Sequence, residues 1–432
     1  MYDVIVVGGG FAGVTAARET ARAGARTLLL EARDRLGGRT WASTWGAENV
    51  ELGGAWVHWH QPHTWSEVTR ARLAVEVSPN ADLAGWYVDG ERRSGTMAER
   101  DAIAERGWNR FVAGVEAALP QPHDPLAALP ELARFDRLSI AERLAEIELD
   151  EEERAVLAAE LESVAHGSLE EAGAVSILRW HALSGGSLAL TQFAGGRVTL
   201  REGTAALLAA IASGADFETR LETPAAAVAQ GEEAVEVHTR AEETLAARAV
   251  VVAVPLNVLG RISFDPPLSE AKQEALARGQ ASRGIKIFVA ARGEPVLQNA
   301  IRPGHPFGYL DTEVLRRDGT QLLIGFGPDA TAIEAGDLAA VQGALDEILP
   351  GYEALAATAH DWLADEFSRG TWAIHRPGWY TAHHAEMRRP EGRVVLAGSD
   401  LANGWAGFID GAIESGLTAA AAALARLARD RR

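Results

Sequence analysis

The sequence predicts an α/β protein in which a parallel sheet, covered on both faces, is assembled from separated pieces of chain and an α+β unit is inserted between them. Three observations carry this. An apolar strand runs through a glycine-rich turn into a helix at residues 3–22. Strand character returns around 197–255, ending in a wholly apolar run. A third apolar strand at 392–398 feeds another glycine-rich turn and a last helix.

In the first unit Asp3–Val7 reads as a strand, Gly8–Gly13 as a turn and Val14–Arg22 as a helix that Gly24 ends, with Thr27–Glu31 as the second strand. Strands that are apolar throughout, rather than alternating, belong to parallel sheets buried on both sides. From Met97 to Ser184 the pattern is helical. Ser139-Ile140-Ala141-Glu142 is a capping box, Asp150 before three glutamates is a second helix start, and Pro120, Pro122, Pro125 and Pro130 mark the loops. Ala234–His238 alternates as a half-buried strand, and Ala249–Val254 is a buried one that stops at Pro255. The expected division is a nucleotide domain from 1–75, 195–268 and 392–432, and a substrate domain from 76–194 and 269–391.

The 432 residues include 60 acids against 41 bases, a formal charge of −19, and 47% are hydrophobic, so the chain has ample material for two cores. There are 0 cysteines, which excludes disulfides, thiolate metal sites, cysteine nucleophiles and any cofactor tethered through sulfur. The acidic excess argues against nucleic acid, whose phosphates need clustered Lys and Arg. No signal sequence is visible and no run approaches the ~20 apolar residues of a membrane span. The expectation is a cytoplasmic protein, with a homodimer left open.

Gly8, Gly10 and Gly13 fit GxGxxG, around Phe11 and Ala12. In this Rossmann-like pattern the glycines permit the tight turn, the backbone's approach to a pyrophosphate and close packing of helix on strand. Glu31, ending the second strand, suits ribose hydroxyls. Ala32, Arg33, Gly38 and Arg39 follow directly. Arg39 can serve the long pyrophosphate of an extended FAD, or else make a surface salt bridge. This stretch, with Glu51–Trp56 beyond it, resembles the flavin amine oxidases, the family of monoamine, polyamine and hydroxynicotine oxidases. Further anchors are Thr223–Ala225, Ala253–Pro255, Gly284–Lys286, Gly370–Trp372, Leu396–Asp400 and Gly404–Ala412. The resemblance spans most of the chain. The strand Gly284–Val289 and the segment His360–Asp365 look most like the hydroxynicotine branch. Residues 56–63, read as helical, look more like nicotine-type oxidases.

The resemblance implies a Rossmann-like FAD-binding domain assembled from discontinuous segments, an inserted α+β substrate-binding domain, and removal of a hydride equivalent from the carbon beside an amine nitrogen to flavin N5. The resulting imine hydrolyses, and oxygen or another acceptor reoxidises the cofactor. It further implies that Gly53, Gly54, Ala55, Trp56, Ala225, Asp400 (where the family commonly has Glu) and Ile409 contact FAD. Lys286 lies in a strand apolar on both faces, which a lysine tolerates only by reaching a polar cavity or by guarding a sheet edge. By resemblance it holds a water at N5. Trp372 and Phe408 match the two aromatic rings that flank the amine, in place of the tyrosines of monoamine oxidases. His58, His166 and Tyr309 are candidate substrate contacts. His58, His60 and His63 lack the carboxylate or thiolate company of a usual metal site, so no metal is expected. Thr371 stands where a cysteine can carry the flavin, so FAD is expected to be noncovalent. A related FAD desaturase or porphyrinogen-type oxidase, and a non-catalytic flavin scaffold, are the alternatives.

Overall fold

The structure is a computed structural model describing residues 1–46 and 48–430. Its first sheet is built around Tyr2–Val7. Thr27–Leu30 pairs parallel on one side and Thr244–Val252 on the other, with Glu218–Arg220 beyond the former and Val394–Leu396 beside Val250–Val252. The strand Thr244–Val252 changes role along its length. Its first half pairs antiparallel with Val235–Thr239, which continues to Ala225–Gln230 and the edge strand Ser263–Asp265. Three separated stretches of sequence thus meet in one sheet.

Alternation explains why these strands are apolar throughout. Val4, Val6, Leu29 and Val251 pack into one core with the helix residues Ala16, Ile413 and Ala420. Ile5, Leu28 and Val250 face the opposite core with Leu256 and Trp405. Each such side chain fully removed from water contributes ~1.5–3 kcal/mol. The helix Ile409–Arg429 lies along Phe11–Arg22 at a distance only glycine allows: a Cβ at Gly416 would sit 2.4 Å from the Ala12 carbonyl oxygen.

The second sheet runs in the order Glu353–Ala359, Ile285–Arg292, Thr320–Gly327, Tyr309–Leu315, Gln298–Ile301, Leu83–Val88, Glu91–Thr96. Ile285, Ile287 and Val289 turn to the back, against Val341, Leu345 and Ile348 of the helix Leu338–Ile348. Phe288, Ile324 and Phe326 turn to the front, against Leu52, Trp56 and Trp372. That front face becomes a wall of the site.

Between the sheets' strands lie the expected helices. Reciprocal capping boxes open Ile140–Ala145, through Ser139 and Glu142, and Glu151–Ala165, through Asp150 and Glu153. Residues 56–61 depart from expectation. They are not helical, because Pro62 disfavours helical backbone at Gln61 and itself supplies the first helical position of Pro62–Ala71. Among the described residues no helix is long and apolar enough to cross a membrane.

Candidate active site

One cavity of about 630 Å³ runs from the glycine turn of the first sheet to the front face of the second. At the first end, the helices Phe11–Arg22 and Ile409–Arg429 both start at its wall. Neither start carries a side-chain cap, and Phe11–Arg22 has no acid in its first turn. Uncapped N–H groups and the positive dipole ends suit an anionic ligand. Gly13 stands behind the wall, where a Cβ would lie 1.8 Å from the Gly8 carbonyl oxygen. Gly10 and Gly38 form the cradle: a Cβ on Gly38 would be 3.3 Å from the Gly10 Cα, filling the groove between the two turns.

Glu31 is buried at this end. Its Oε2 accepts from Gly9 N–H at 2.6 Å and its Oε1 from Arg33 N–H at 2.8 Å, and each oxygen keeps a second lone pair for a hydroxyl. Arg33 donates to Asp365 at 2.6 Å and Ser368 at 2.9 Å. Arg39 donates to the Thr371 carbonyl at 2.7 Å and pairs with Asp400. Burial alone would raise the Asp400 carboxyl, but the Arg39 guanidinium and the Leu256 N–H hold it below the usual range. Arg39 lines the cavity, whereas Asp400 stands behind it. The pair joins two distant segments, with Asp400 buried and Arg39 partly so.

The wall also includes Gly8, Gly10, Phe11, Ala12, Ala32, Arg33 and Gly38, the strip Gly53–Trp56, Ala225 and Ile409. A long groove with glycine turns, two uncapped helix starts, a ribose-type acid and a fixed arginine fits an extended dinucleotide.

At the second end Lys286 is buried. Its Nζ donates to the Gly53 carbonyl at 3.1 Å and lies 4.7 Å from the Trp56 ring centroid and 5.3 Å from that of Phe288. Burial lowers its ammonium to about 8, with Glu51 and Glu313 pulling upward. Trp372 is held by Nε1–H donation to the Val164 carbonyl at 2.9 Å and by stacking on His166 at 4.1 Å and 8°. His166 ends the helix Glu151–Ala165 in left-handed backbone (φ 51°), which turns its ring into the cavity wall. Its Nδ1 meets Thr371 Oγ1 at 2.8 Å, Nε2 has no partner among the described residues, and burial lowers its pKa to about 4, so it is neutral. Phe408 is wedged edge-on by Trp180 and Trp405, each 5.1 Å away.

Lys286, Trp372, Phe408, His166 and Tyr309 all line this one cavity. His58 does not. Its Nδ1 accepts from His60 N–H at 3.1 Å and its ring packs on Trp59 and Phe193, behind the wall. Among the described residues no grouping of His, Asp or Glu has metal-ligand geometry. Sequence reading missed Phe326, which touches Trp56, His166, Tyr309 and Trp372, and the charged residues Asp311 and Arg197 of the wall. Asp311 had a signal: it stands two residues after Tyr309 in a strand, hence on the same face.

A glycine cradle for a dinucleotide opening into an aromatic chamber that holds a buried lysine defines a flavin-dependent oxidoreductase. The chain belongs to the flavin-containing amine oxidoreductases, whose family pattern matches residues 11–424, and FAD is its cofactor. It is 39% identical to pseudooxynicotine dehydrogenase from a Pseudomonas species, over 96% of this chain and 84% of the relative. It is 31% identical to (S)-6-hydroxynicotine oxidase of Paenarthrobacter nicotinovorans, over 96% of this chain and 97% of the relative. Among solved structures, a putrescine oxidase variant superposes with a TM-score of 0.81 at 24% identity, covering 98% of this chain and 99% of that one.

Proposed function

We propose that this FAD-dependent amine oxidoreductase acts on a ring-bearing amine, with nicotine-like alkaloids as first candidates and arylalkylamines next. The observation that carries the reading is the flat Trp372–His166 stack in the same cavity as the buried Lys286. Bound FAD supplies the acceptor for the electron pair leaving the carbon beside the amine nitrogen. The chain's part is positioning. Trp372 and Phe408 restrict the approach of a flat amine, and the apolar wall excludes water. Lys286 Nζ is mostly protonated at neutral pH and offers a proton and a positive charge beside the Gly53 carbonyl. Neutral His166 backs Trp372 without adding charge to the chamber.

The cofactor contacts proposed for this chain are the glycine turns, Glu31, Arg39, the strip Gly53–Trp56, Ala225 and Ile409, on a unit made of residues 1–75, 195–268 and 392–432. With no cysteine in the chain, FAD is held noncovalently, and acid precipitation should leave its yellow colour in the supernatant. The proposed acceptor is oxygen, yielding peroxide; a relative named a dehydrogenase favours a second reading in which a carrier takes the electrons. The proposed partners are small amines and that acceptor, in the cytoplasm. The deciding experiment is anaerobic mixing of FAD-loaded protein with an amine panel. Bleaching at 1:1 stoichiometry by ring-bearing amines is expected; an unbleached flavin with every amine would sink the proposal. Admitting air with peroxide detection then separates the two acceptors.

A further inference from the structure

We propose that Asp311 is a second recognition point in the substrate chamber, binding the ring nitrogen of a heteroaromatic amine. The inference rests on the amine-oxidising reading above and names which amines the site selects.

Strand register places it. Lys286, Phe326 and Tyr309 are aligned across three neighbouring strands, and Phe288, Ile324 and Asp311 form the next row on the same face. Two strand spacings and two residues separate the Lys286 and Asp311 Cα atoms by ~12 Å. A ligand that meets both must therefore carry its polar ends several bonds apart. Tyr309 and Phe326, 6.2 Å between ring centroids, offer aromatic surface between them.

The carboxylate is only half used. Asp311 Oδ2 accepts from the Tyr309 hydroxyl at 3.2 Å and lies 3.9 Å from the Arg197 guanidinium. Oδ1 is buried and has no hydrogen-bond partner among the described residues, although the residue lines the cavity. Buried polar atoms are normally paired, and an unpaired one is costly. Arg100, itself buried and on the same wall, has an unpartnered Nε, and so does Arg197. This concentration of unmet hydrogen bonding points to a polar ligand group.

Charge selects the kind of group. Burial raises the Asp311 carboxyl to about 7; Arg197, the Tyr309 hydroxyl and Arg100 pull it down, while Glu313 pushes it up. Near neutral pH the carboxyl exists in both forms. A heteroaromatic nitrogen, being a weak base, suits either: it accepts from the carboxylic acid, or as the protonated ring it donates to the carboxylate. Arg197 and Arg100 both bear on this carboxyl, but Arg100 is itself paired with Asp101 and Glu160, and Glu313 lies on the same wall, so the subsite holds charges of both signs.

The test uses two amines that differ at one ring atom, 2-(3-pyridyl)pyrrolidine and 2-phenylpyrrolidine, with anaerobic flavin reduction of the FAD-loaded enzyme as the readout. The wild type should favour the pyridyl amine by at least ~10-fold in second-order rate. Asp311→Leu should bring the two within ~2-fold, the pyridyl rate falling furthest. Asp311→Asn, whose amide still donates, should restore most of the preference and lose its pH dependence near 7. Bleaching without discrimination in the wild type, or full preference kept by Asp311→Leu, overturns the inference alone. Failure of both amines to bleach the wild-type flavin overturns the amine reading and this inference with it.

Discussion

The two ends of the cavity are made of different material. The dinucleotide end is largely backbone: glycines, N–H groups at two helix starts, and arginines fixed by carbonyls and carboxylates. The end proposed for the amine is side chains on a sheet: Lys286, Phe326 and Tyr309 in one row, with Trp372, His166 and Phe408 lining the same cavity. A backbone site leaves no room for added atoms where it packs tightest, at Gly8 and Gly13. A side-chain site can be re-lettered one residue at a time, so substrate choice can change within one fold.

If that contrast holds, substitutions at the two ends should separate cofactor retention from amine chemistry. The largest effect is expected for Gly13→Val, whose Cβ and methyls would collide with the Gly8 carbonyl. Overpacking of this kind costs ~1–3 kcal/mol or more. The protein should elute from gel filtration colourless, with a lowered Tm; a fully flavinylated variant would break the comparison. Next comes Trp372→Ala, which removes the stacked wall. Anaerobic flavin reduction should slow by ~100-fold, as misplacement of a reactant does, with FAD content unchanged. Lys286→Met should leave amine-driven reduction within a few-fold but slow reoxidation by ~10-fold or more, by analogy with removing one charged group beside the reacting atoms. Stopped-flow mixing of the reduced enzyme with oxygen reads this directly.

The smallest effect is a pH dependence of stability. The Asp311 carboxyl titrates near 7 when folded and near 4 when unfolded. The folded chain thus binds the extra proton between these values. Its contribution to stability is complete below about pH 4 and is lost as pH rises through about 7. Asp311→Asn should therefore gain Tm relative to the wild type at pH 8 but not at pH 4. An equal difference at both pH values would place the Asp311 carboxyl in an ordinary solvated setting.

Much of the first end was legible in the sequence because it is local. The spacing of Gly8, Gly10 and Gly13, the acid at Glu31 and the double glycines at 37–38 and 53–54 lie within 54 residues. Lys286 was legible because a lysine in a strand apolar on both faces needs a polar destination. Asp400 was expected beside the cofactor; the structure pairs it with Arg39, 361 positions away, behind the cavity lining, and no local pattern announces such a pairing. Phe326 was missed for the same reason. It is one apolar residue among several until strand register sets it between Lys286 and Tyr309. His58 shared its neighbours' aromatic look, yet it packs on Trp59 and Phe193 with its Nδ1 accepting from His60 N–H, and it does not line the cavity.

The packing of Gly416 on Ala12 has a consequence for the order in which the protein is made. The glycine turn is made more than 380 residues before the parallel strand Val394–Leu396 and the helix start at Ile409. Until then the cleft lacks a wall, and the apolar face of Phe11–Arg22 lacks its cover. A nascent chain arrested before residue 394 should therefore fail to retain FAD.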